Sequence, residues 1–271
     1  MTVPEEQLPA PGKLTVLILV PNAEEKIARC LESVQWADDI FCIIDTKTSD
    51  GSEAIVRQHT EHVVFHTYEN AAAQRNWALP QVTTEWTLVL DADEWVSEPL
   101  RQRVLEIIAA PDSLHGYDIK RYSYFFGRLI RHCGWHRDYN LRLFRTAEGR
   151  YLDKKVHSRV VVEGAVGTIN DVMYHDTYNT FEEYFTTFHR FTTWGAEDAF
   201  QRGKRATLLD LTFRPALRFV KMYILRQGFR DGYHGAVLCG LAACSVFTKY
   251  AKLWHLGRQE SASPPDNRDA S

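Results

Sequence analysis

The first hundred residues alternate between short apolar runs and segments with apolar residues at helical spacing. A continuous apolar run of four to seven residues is typical of a strand buried on both faces. Such runs predict strands at 14–20, 40–44, 63–66 and 86–90. Between and after them, the spacing predicts helices at about 22–34, from residue 51, at 71–79 and at about 97–109. This succession predicts an α/β fold, in which a Rossmann-like, mostly parallel sheet carries helices on both faces.

Two of these helices begin with a pattern that resembles a capping box. Asn22 precedes Glu25 by three residues, and Asp50 precedes Glu53 by the same spacing. An Asn or Asp side chain before a helix accepts a hydrogen bond from an early helical N–H, and the following Glu reaches back. We therefore expect Asn22 and Asp50 to cap their helices.

The pattern changes after residue 115. Alternating or β-branched stretches predict added strands and loops that close over the sheet edge, at 117–124, 139–144, 156–162 and 167–173. Helical spacing returns at about 181–201, 207–229 and 235–255. We expect a disordered leader (1–13), an α/β domain (14–178), a C-terminal helical region (179–256) and a disordered tail (257–271).

Composition narrows the class of protein. With 271 residues, 45% apolar and 25% charged, the chain is neither collagen-like, disordered nor a disulfide scaffold. A net charge of −3 argues against a protein whose whole surface binds nucleic acid. Five cysteines without a CxxC pair indicate reduced, mostly buried thiols and a cytoplasmic location. The start resembles no export signal, and the uncharged run 235–248 is shorter than the roughly 18–20 residues that span a bilayer.

Paired acids directly follow the last of the four parallel strands. In an extended backbone, Asp91 and Asp93 lie on the same side, so their carboxylates converge. Two such oxygen ligands suit Mg²⁺ or Mn²⁺, which substrate phosphates usually complete. The alternative is an acidic helix start that favours the helix dipole. The position at the carboxyl end of a central strand favours a ligand site.

A phosphate ligand would need side chains to neutralise it. The sequence has no GxGxxG fingerprint after a strand and no GxxxxGK[ST] loop. Gln74, Arg75 and Asn76 offer one cation and two amides near the start of the third predicted helix. A solvated surface arginine is the alternative for Arg75.

Taken together, these motifs resemble family 2 glycosyltransferases of the GT-A fold. The resemblance rests on the order of Asn22, Asp45 with Asp50–Gly51, Gln74–Arg75–Asn76 and Asp91–Ala92–Asp93–Glu94. The stretches Asn140–Phe144, Val156–His157 and Tyr174–His175 resemble the branch that contains bacterial lipopolysaccharide-core glucosyltransferases. The similarity covers about residues 14–256.

The resemblance implies roles for individual residues. Pro21, Asn22 and Asp45 match positions that hold the base and ribose of a nucleotide sugar, usually UDP, with Asp50 nearby. Arg75 matches the basic residue near the diphosphate, and Gln74 and Asn76 flank it. Asp91 matches the position that faces ribose and metal, and Asp93 the carboxylate that binds the metal. His175 matches a further metal or diphosphate contact, although a buried histidine satisfied by backbone is an alternative.

Two departures from the family pattern concern the chemistry. Ala23 stands where the family commonly has the first of two acids, and Ser158 follows His157 where it commonly has Glu. A serine hydroxyl is too weak to act as the general base near neutral pH. The base is then expected among Asp153, Asp138, Glu94 and His157, or the chain is a catalytically silent GT-A protein that binds nucleotide sugar or scaffolds a complex.

The resemblance implies an inverting, Mg²⁺- or Mn²⁺-dependent transfer of a hexose, with UDP-glucose as the expected donor and a cell-envelope glycan or lipopolysaccharide core as acceptor. A nucleotidyltransferase is disfavoured by the missing Gly-rich loop.

The predicted C-terminal helices are basic. From Lys204 to Arg230 there are seven basic residues and one acid, a local net charge of +6, with aromatic residues between them. Such helices can bind an anionic membrane surface, here the inner face of the cytoplasmic membrane. A solvated face with core aromatics is the alternative.

Overall fold

Strands and helices alternate through the first half of the chain. A computed structural model describes residues 10–152 and 160–262. Its strands are β1 (Ala10–Val20), β2 (Asp39–Asp45), β3 (Val63–His66), β4 (Thr84–Asp91), β5 (Glu94–Val96), β6 (Gly116–Phe125), β7 (Arg128–Leu129), β8 (Asp138–Arg145), β9 (Arg150–Tyr151), β10 (Val160–Val161) and β11 (Val166–Tyr178). Its α helices are α1 (Ile27–Glu32), α2 (Ser52–Val56), α3 (Ala71–Ala78), α4 (Glu98–Ala109), α5 (Phe181–Gln201), α6 (Leu208–Val220) and α7 (Gly232–Ala262).

One large sheet contains all the strands named above except β9 and β10, and it confirms the predicted α/β class. Its strand order is β3-β2-β1-β4-β8-β6-β11-β5, and β7 pairs with β6. The pairs among β1, β2, β3 and β4 are parallel, as the apolar runs predict. β8 pairs antiparallel with both β4 and β6, and β5 pairs antiparallel with β11. β6, β7, β8 and β11 thus extend the same sheet and do not fold over its edge, because β8 takes the free side of β4. β9 and β10 form a separate small sheet.

The helices cover both faces of the parallel strands. Along β1, Val16 and Ile18 belong to an apolar cluster that includes residues of α1 and α4. Leu17, between them, belongs to a second cluster that includes Ala72 and Ala78 of α3. Successive side chains of a strand point to opposite faces. The continuous apolar run at 14–20 is therefore explained by burial on both sides.

The two predicted caps are wrong in detail. α1 begins at Ile27, and the Oδ1 atom of Asn22 accepts a hydrogen bond from the backbone N–H of Ser49 at 2.9 Å. Gly51 is the N-cap of α2, so Asp50 lies one residue earlier and accepts from the N–H of Ser52. Loops that follow neighbouring parallel strands emerge at one sheet edge, so each polar side chain meets amides of its own or the adjacent loop.

The loops after β1 and β2 approach closely at a glycine. The carboxylate of Glu24 accepts a hydrogen bond from the N–H of Gly51 at 2.9 Å. A Cβ atom on residue 51 would stand 2.5 Å from the Oε1 atom of Glu24. Any side chain at position 51 would therefore displace the acid that joins the loops after β1 and β2.

The chain divides into two compact units. The first contains the residues up to Ser123 together with Arg137–Thr177, and the second contains Tyr124–His136 and the residues from Tyr178 onward. The segment 124–136, which the sequence assigns to the α/β domain, belongs with the C-terminal helices. β1 begins at Ala10, inside the predicted leader, and α7 extends to Ala262, inside the predicted tail.

The second unit is mostly helical, as the periodicity predicts, and it also contains β7. α5 has the predicted bounds, but the helix expected at 207–229 is interrupted. α6 ends at Val220 and passes into a π-helical turn, Lys221–Leu225, and Gln227 then adopts a left-handed φ of 55°. Among the described residues, one helix, Gly228–Glu260, has the length and composition to cross a membrane, and 17% of its most apolar window is buried.

The cysteines lead to a first prediction. Cys30, Cys42, Cys133 and Cys239 are buried free thiols, whereas Cys244 is exposed. Burial raises the pKa of Cys42 to about 12 and also raises that of Cys30. Because the thiolate is the reactive form, we expect one fast-reacting thiol per native chain in a titration with a chromogenic disulfide. Cys244→Ser should remove the fast phase. Two or more fast thiols in the native protein would contradict this arrangement.

Candidate active site at the carboxyl ends of the parallel strands

Three parallel strands end side by side at one edge of the sheet. Val20 of β1 pairs with Ile44 of β2, and Leu19 pairs with Asp91 of β4. Ligands of open α/β sheets bind beyond the carboxyl ends of the strands. Six of the residues predicted for the site lie at the ends of these strands or in the loops that follow them: Pro21, Asn22, Asp45, Asp50, Asp91 and Asp93.

Asp45 organises the loops after β2 and β3. Its Oδ1 atom accepts hydrogen bonds from the backbone N–H groups of Lys47 at 3.2 Å and Tyr68 at 3.1 Å. The Tyr68 side chain is 47% exposed. The position predicted to hold a nucleoside thus has a carboxylate fixed in place, with an exposed aromatic residue in the loop that it binds.

Two arginines fix Asp91. Its Oδ1 atom pairs with the Nη2 atom of Arg75, and its Oδ2 atom lies 3.1 Å from the Nη2 atom of Arg142. Both guanidinium groups are buried, whereas the Asp91 carboxylate is 38% exposed. Partial burial alone would raise the pKa of Asp91, but Arg75 and Arg142 outweigh it and hold the pKa well below its usual range. Asp91 is therefore ionised and its oxygens point in fixed directions.

Beneath Asp91 lies a completely buried acid. Glu94 has no exposed surface, and its Oε1 atom accepts from Arg142 at 2.7 Å and from Arg121 at 2.8 Å. Its Oε2 atom accepts from the backbone N–H of Asp91 at 2.9 Å. Burial alone would lower the pKa of Arg142, but Glu94 and Asp91 raise it above its usual value. Glu94 therefore holds the backbone and the arginine that position Asp91.

The two amides beside Arg75 are engaged within the protein. Gln74 is buried and its Nε2 atom donates to the carbonyl oxygen of His66 at 3.1 Å. Asn76 exchanges two hydrogen bonds with the backbone of Tyr151, at 2.8 and 2.9 Å. Of the three predicted residues, Arg75 is the one whose side chain reaches the acidic triplet.

Asp93 has a different environment from its neighbours. Its Oδ2 atom lies 3.3 Å from the Nε2 atom of His175, and its carbonyl oxygen accepts from the N–H of Asp176 at 2.8 Å. The pairing of β5 with β11 produces this contact, because His175 lies opposite Glu94 in the ladder. Within the described residues, no Lys or Arg forms an ion pair with Asp93. The structure thus brings Asp93 and His175 together, and in the part of the chain that it describes no guanidinium or ammonium group contacts this carboxylate.

Two of the candidates for the general base, Glu94 and Asp138, lie in the described part of the chain. Glu94 is disfavoured as the base, because its carboxylate is buried and bound to two arginines. Asp138 accepts from Arg121 at 2.8 Å and from Asn140 at 3.0 Å, so it belongs to the same network. Asp153, His157 and Ser158 lie outside the described residues.

A family comparison decides the class of protein. Residues 15–164, which contain the strand ends and the arginine network described above but not His175, match the family model described as glycosyl transferase family 2. The chain belongs to this family. The predicted GT-A fold and the resemblance stated on the motifs are thereby confirmed.

Similar proteins include other members of the glycosyltransferase class. The chain is 28% identical over 252 residues to the lipopolysaccharide core biosynthesis glycosyltransferase LpsC of Rhizobium meliloti (strain 1021), a match covering 88% of this chain and 93% of that protein. It is 26% identical to an uncharacterized glycosyltransferase of Rickettsia felis, covering 89% of each. Among solved structures, Staphylococcus aureus TarS 1-349 in complex with UDP-GlcNAc covers 95% of both chains at 14% identity and a TM-score of 0.48.

The side chains at this site fit a divalent cation that takes some of its ligands from the protein and the others from a substrate. In the described part of the chain, no three His, Cys, Asp or Glu side chains converge as a complete metal site. Mg²⁺ is commonly held by one or two carboxylates plus substrate phosphates, and Mn²⁺ also accepts oxygen ligands. Asp93 and His175 provide such a partial set. The predicted metal role of Asp91 stays a prediction, since both of its oxygens contact guanidinium groups.

Arg121 and Arg142 are site residues that sequence reasoning did not assign. Arg142 stands in the Asn140–Phe144 stretch that carries the family resemblance, and Arg121 stands in β6. Both strands join the sheet antiparallel beyond β4. A pairing of β8 with β4 would have placed Arg142 near Asp91, but its sequence position alone indicates only a strand.

The buried acid of this glycosyltransferase leads to a second prediction. Glu94→Gln keeps the shape but leaves Arg121 and Arg142 without a buried countercharge. Removing one partner of a buried ion pair costs about 3–5 kcal/mol, and we expect a loss of this order in the free energy of unfolding, measured with urea. Glu98→Gln, at an exposed acid of α4, is the matched control and should change little. Equal unfolding midpoints for the two variants would show that Glu94 does not stabilise the site.

Proposed function

We propose that this family 2 glycosyltransferase moves a hexose, with UDP-glucose as the expected donor, to a hydroxyl of a cell-envelope glycan or lipopolysaccharide core, with inversion at the anomeric carbon. The observation that carries the proposal is the Asp93–His175 pair, which has no Lys or Arg partner in the described chain and adjoins the arginine-bound Asp91 at the strand ends. The acceptor class is taken from LpsC, whose name assigns it to lipopolysaccharide core biosynthesis.

The donor would lie across the strand ends. We assign the nucleoside to Pro21, Asn22, Asp45 and Asp50, where loop amides already hold the polar side chains. The exposed ring of Tyr68 offers a surface on which a planar base can stack. Arg75 places a buried positive charge next to Asp91, and we assign the diphosphate to that side. The arginines cost no reorganisation at the moment of reaction, because Asp91 and Glu94 already fix them.

Asp93 and His175 would hold Mg²⁺ or Mn²⁺. When bound, this ion stabilises the negative charge that grows on the leaving nucleoside diphosphate. Asp93 suits this role because, among the residues that the structure describes, no arginine pairs with its carboxylate. His175 is held in place on its other side, where its Nδ1 atom lies 3.2 Å from the Thr177 hydroxyl.

Inverting transfer also requires a base on the face opposite the leaving group. With Glu94 and Asp138 bound to arginines, we assign the base to Asp153 or His157. The location we propose is the cytoplasmic side of the membrane, where nucleotide sugars are made. The specific observation that favours a second candidate, a catalytically silent nucleotide-sugar-binding protein, is Ser158 in place of the family's Glu.

A donor-hydrolysis experiment tests the proposal. Full-length protein is titrated with UDP in the presence and absence of Mn²⁺, and UDP release is then measured with UDP-glucose, UDP-galactose, UDP-GlcNAc and GDP-mannose. We expect metal-stimulated release that is fastest with UDP-glucose. Binding of UDP without any metal-stimulated release would favour the silent protein. Absence of binding to every nucleotide would contradict both.

Asp93→Asn gives the third prediction. The loss of one electrostatic stabiliser of the leaving group lowers kcat by about 10²–10³, and we expect that loss together with the loss of Mn²⁺ stimulation. Asp171→Asn is the matched control, since Asp171 is partly exposed and pairs with Arg103. Because Asp93 is also partly exposed, both variants should unfold at nearly the wild-type urea concentration. Unchanged turnover in Asp93→Asn would remove the assignment of the metal.

The base gives the fourth prediction. Asp153→Asn and His157→Ala are compared by kcat, KM and the Kd for UDP. A general base contributes typically 10²–10⁴-fold, so one variant should lose at least about 100-fold in kcat with an unchanged Kd for UDP. If both variants keep wild-type kcat, the base lies elsewhere in the chain.

A further inference from the structure

α6 exposes apolar side chains along one side. No residue of α6 is buried. Five large apolar residues, which we call the α6 stripe, are each about half or more exposed and follow one another at spacings of four, four, three and four: Leu209, Phe213, Leu217 and Val220 of α6, and Ile224 of the π-helical turn that continues it. Residues at such spacings lie on one face of a helix. At 1.5 Å per residue, the stripe is about 22 Å long.

The α6 stripe is not the face that holds the helix to the protein. α6 packs along α7. Phe219, Met222 and Tyr223 belong to the apolar cluster that contains Leu238 and Cys239 of α7, and the helical spacing places Phe219 and Met222 away from the stripe. α6 is thus apolar on two sides, and the described chain covers one of them.

Basic residues border the stripe on one flank. Arg214, Arg218 and Lys221 each follow a stripe residue by one position, so they lie in a row beside it. The single acid between Lys204 and Arg230 is Asp210, which caps α6 and pairs with Arg214. Arg218 and Lys221 form no ion pair with a described acidic residue. The flank therefore carries uncompensated positive charge.

This combination selects one occupant. Monomeric soluble proteins seldom expose a large continuous apolar patch. A second copy of the chain would bring two basic rows together, and like charges repel. An anionic bilayer satisfies both features, since lipid head groups neutralise the basic row and the acyl boundary accepts the apolar residues.

We infer that α6 lies in the plane of an anionic membrane surface, with the α6 stripe at the acyl boundary and Arg214, Arg218 and Lys221 among the head groups. The inference deepens the proposed function and rests on it for its purpose, because a lipid-linked acceptor is reached at such a surface. α7 would support α6 and not span the bilayer. The Nζ atom of Lys252 in α7 donates to the hydroxyls of Thr192 and Thr193 of α5 at 2.8 and 2.7 Å, bonds that a spanning α7 would have to leave.

Vesicle sedimentation of the full chain tests the inference. Vesicles of phosphatidylcholine with an equal amount of phosphatidylglycerol are compared with phosphatidylcholine alone. We expect binding to the anionic vesicles that is at least tenfold stronger, falls with added salt, and is released by an alkaline carbonate wash. Absence of binding, or equal binding to neutral vesicles, would overturn the inference. Retention after the carbonate wash would overturn it in favour of a spanning α7.

Paired variants locate the surface. Leu209→Ser with Leu217→Ser removes apolar area, and Arg218→Gln with Lys221→Gln removes charge. Each pair should weaken binding to anionic vesicles at least about tenfold. The matched control, Leu105→Ser with Leu114→Ser, changes two leucines of similar chemistry that are exposed in the first unit, and should bind like wild type. A stripe variant that binds like wild type, or a control that weakens equally, would overturn the assignment to α6.

Two further readouts separate the remaining outcomes. Light scattering gives the oligomeric state, and a dimer that the stripe variant abolishes would mean that a second copy covers the stripe. Donor hydrolysis without vesicles reports the proposed function by itself, and the stripe variant should retain it. Vesicle binding without hydrolysis of any donor would remove the proposed function and leave the membrane surface standing, whereas hydrolysis without vesicle binding would do the reverse.

Discussion

The candidate site depends on one buried carboxylate. Glu94 receives two guanidinium groups and the amide of Asp91, and these three bonds determine where the acidic triplet stands. A buried charge is tolerated when it is paired and its remaining hydrogen-bonding capacity is filled. The arginines also contact Asp91 and Asp138 and so connect strands that are distant in sequence. The electrostatics of the site thus follow from satisfying this one acid in a dry interior.

The network balances its own charge and leaves one carboxylate over. Three arginines, Arg75, Arg121 and Arg142, face the three acids Asp91, Glu94 and Asp138. Asp93, two residues from Asp91, contacts His175 instead. Two acids of one short motif therefore differ in electrostatic environment, and the difference comes from partners on α3, β8 and β11. A DxD motif in a sequence does not reveal that difference.

The sequence specifies the parallel half of the fold because each strand there has a local signature. The run at 14–20 is apolar at every position but one, since helices cover both faces of β1. Asp91, Asp93 and Asp45 could be placed at the strand ends for the same reason. Arg142 and Arg121 could not, because their roles arise from the pairing of β8 with β4 and β6, contacts between residues far apart in the chain. Asn22 was misassigned as a cap because a loop amide of Ser49 competes for the same oxygen.

Glu94 and Arg142 are 48 residues apart in the chain. During synthesis the strands through β4 emerge before β6 and β8, so Glu94 gains its arginine partners only when those later strands have been made. Contacts of such long sequence separation form late and slow folding. The segment up to β5 is consequently not a module that could be excised or transplanted as a nucleotide-binding unit, because the residues that neutralise its interior are encoded downstream.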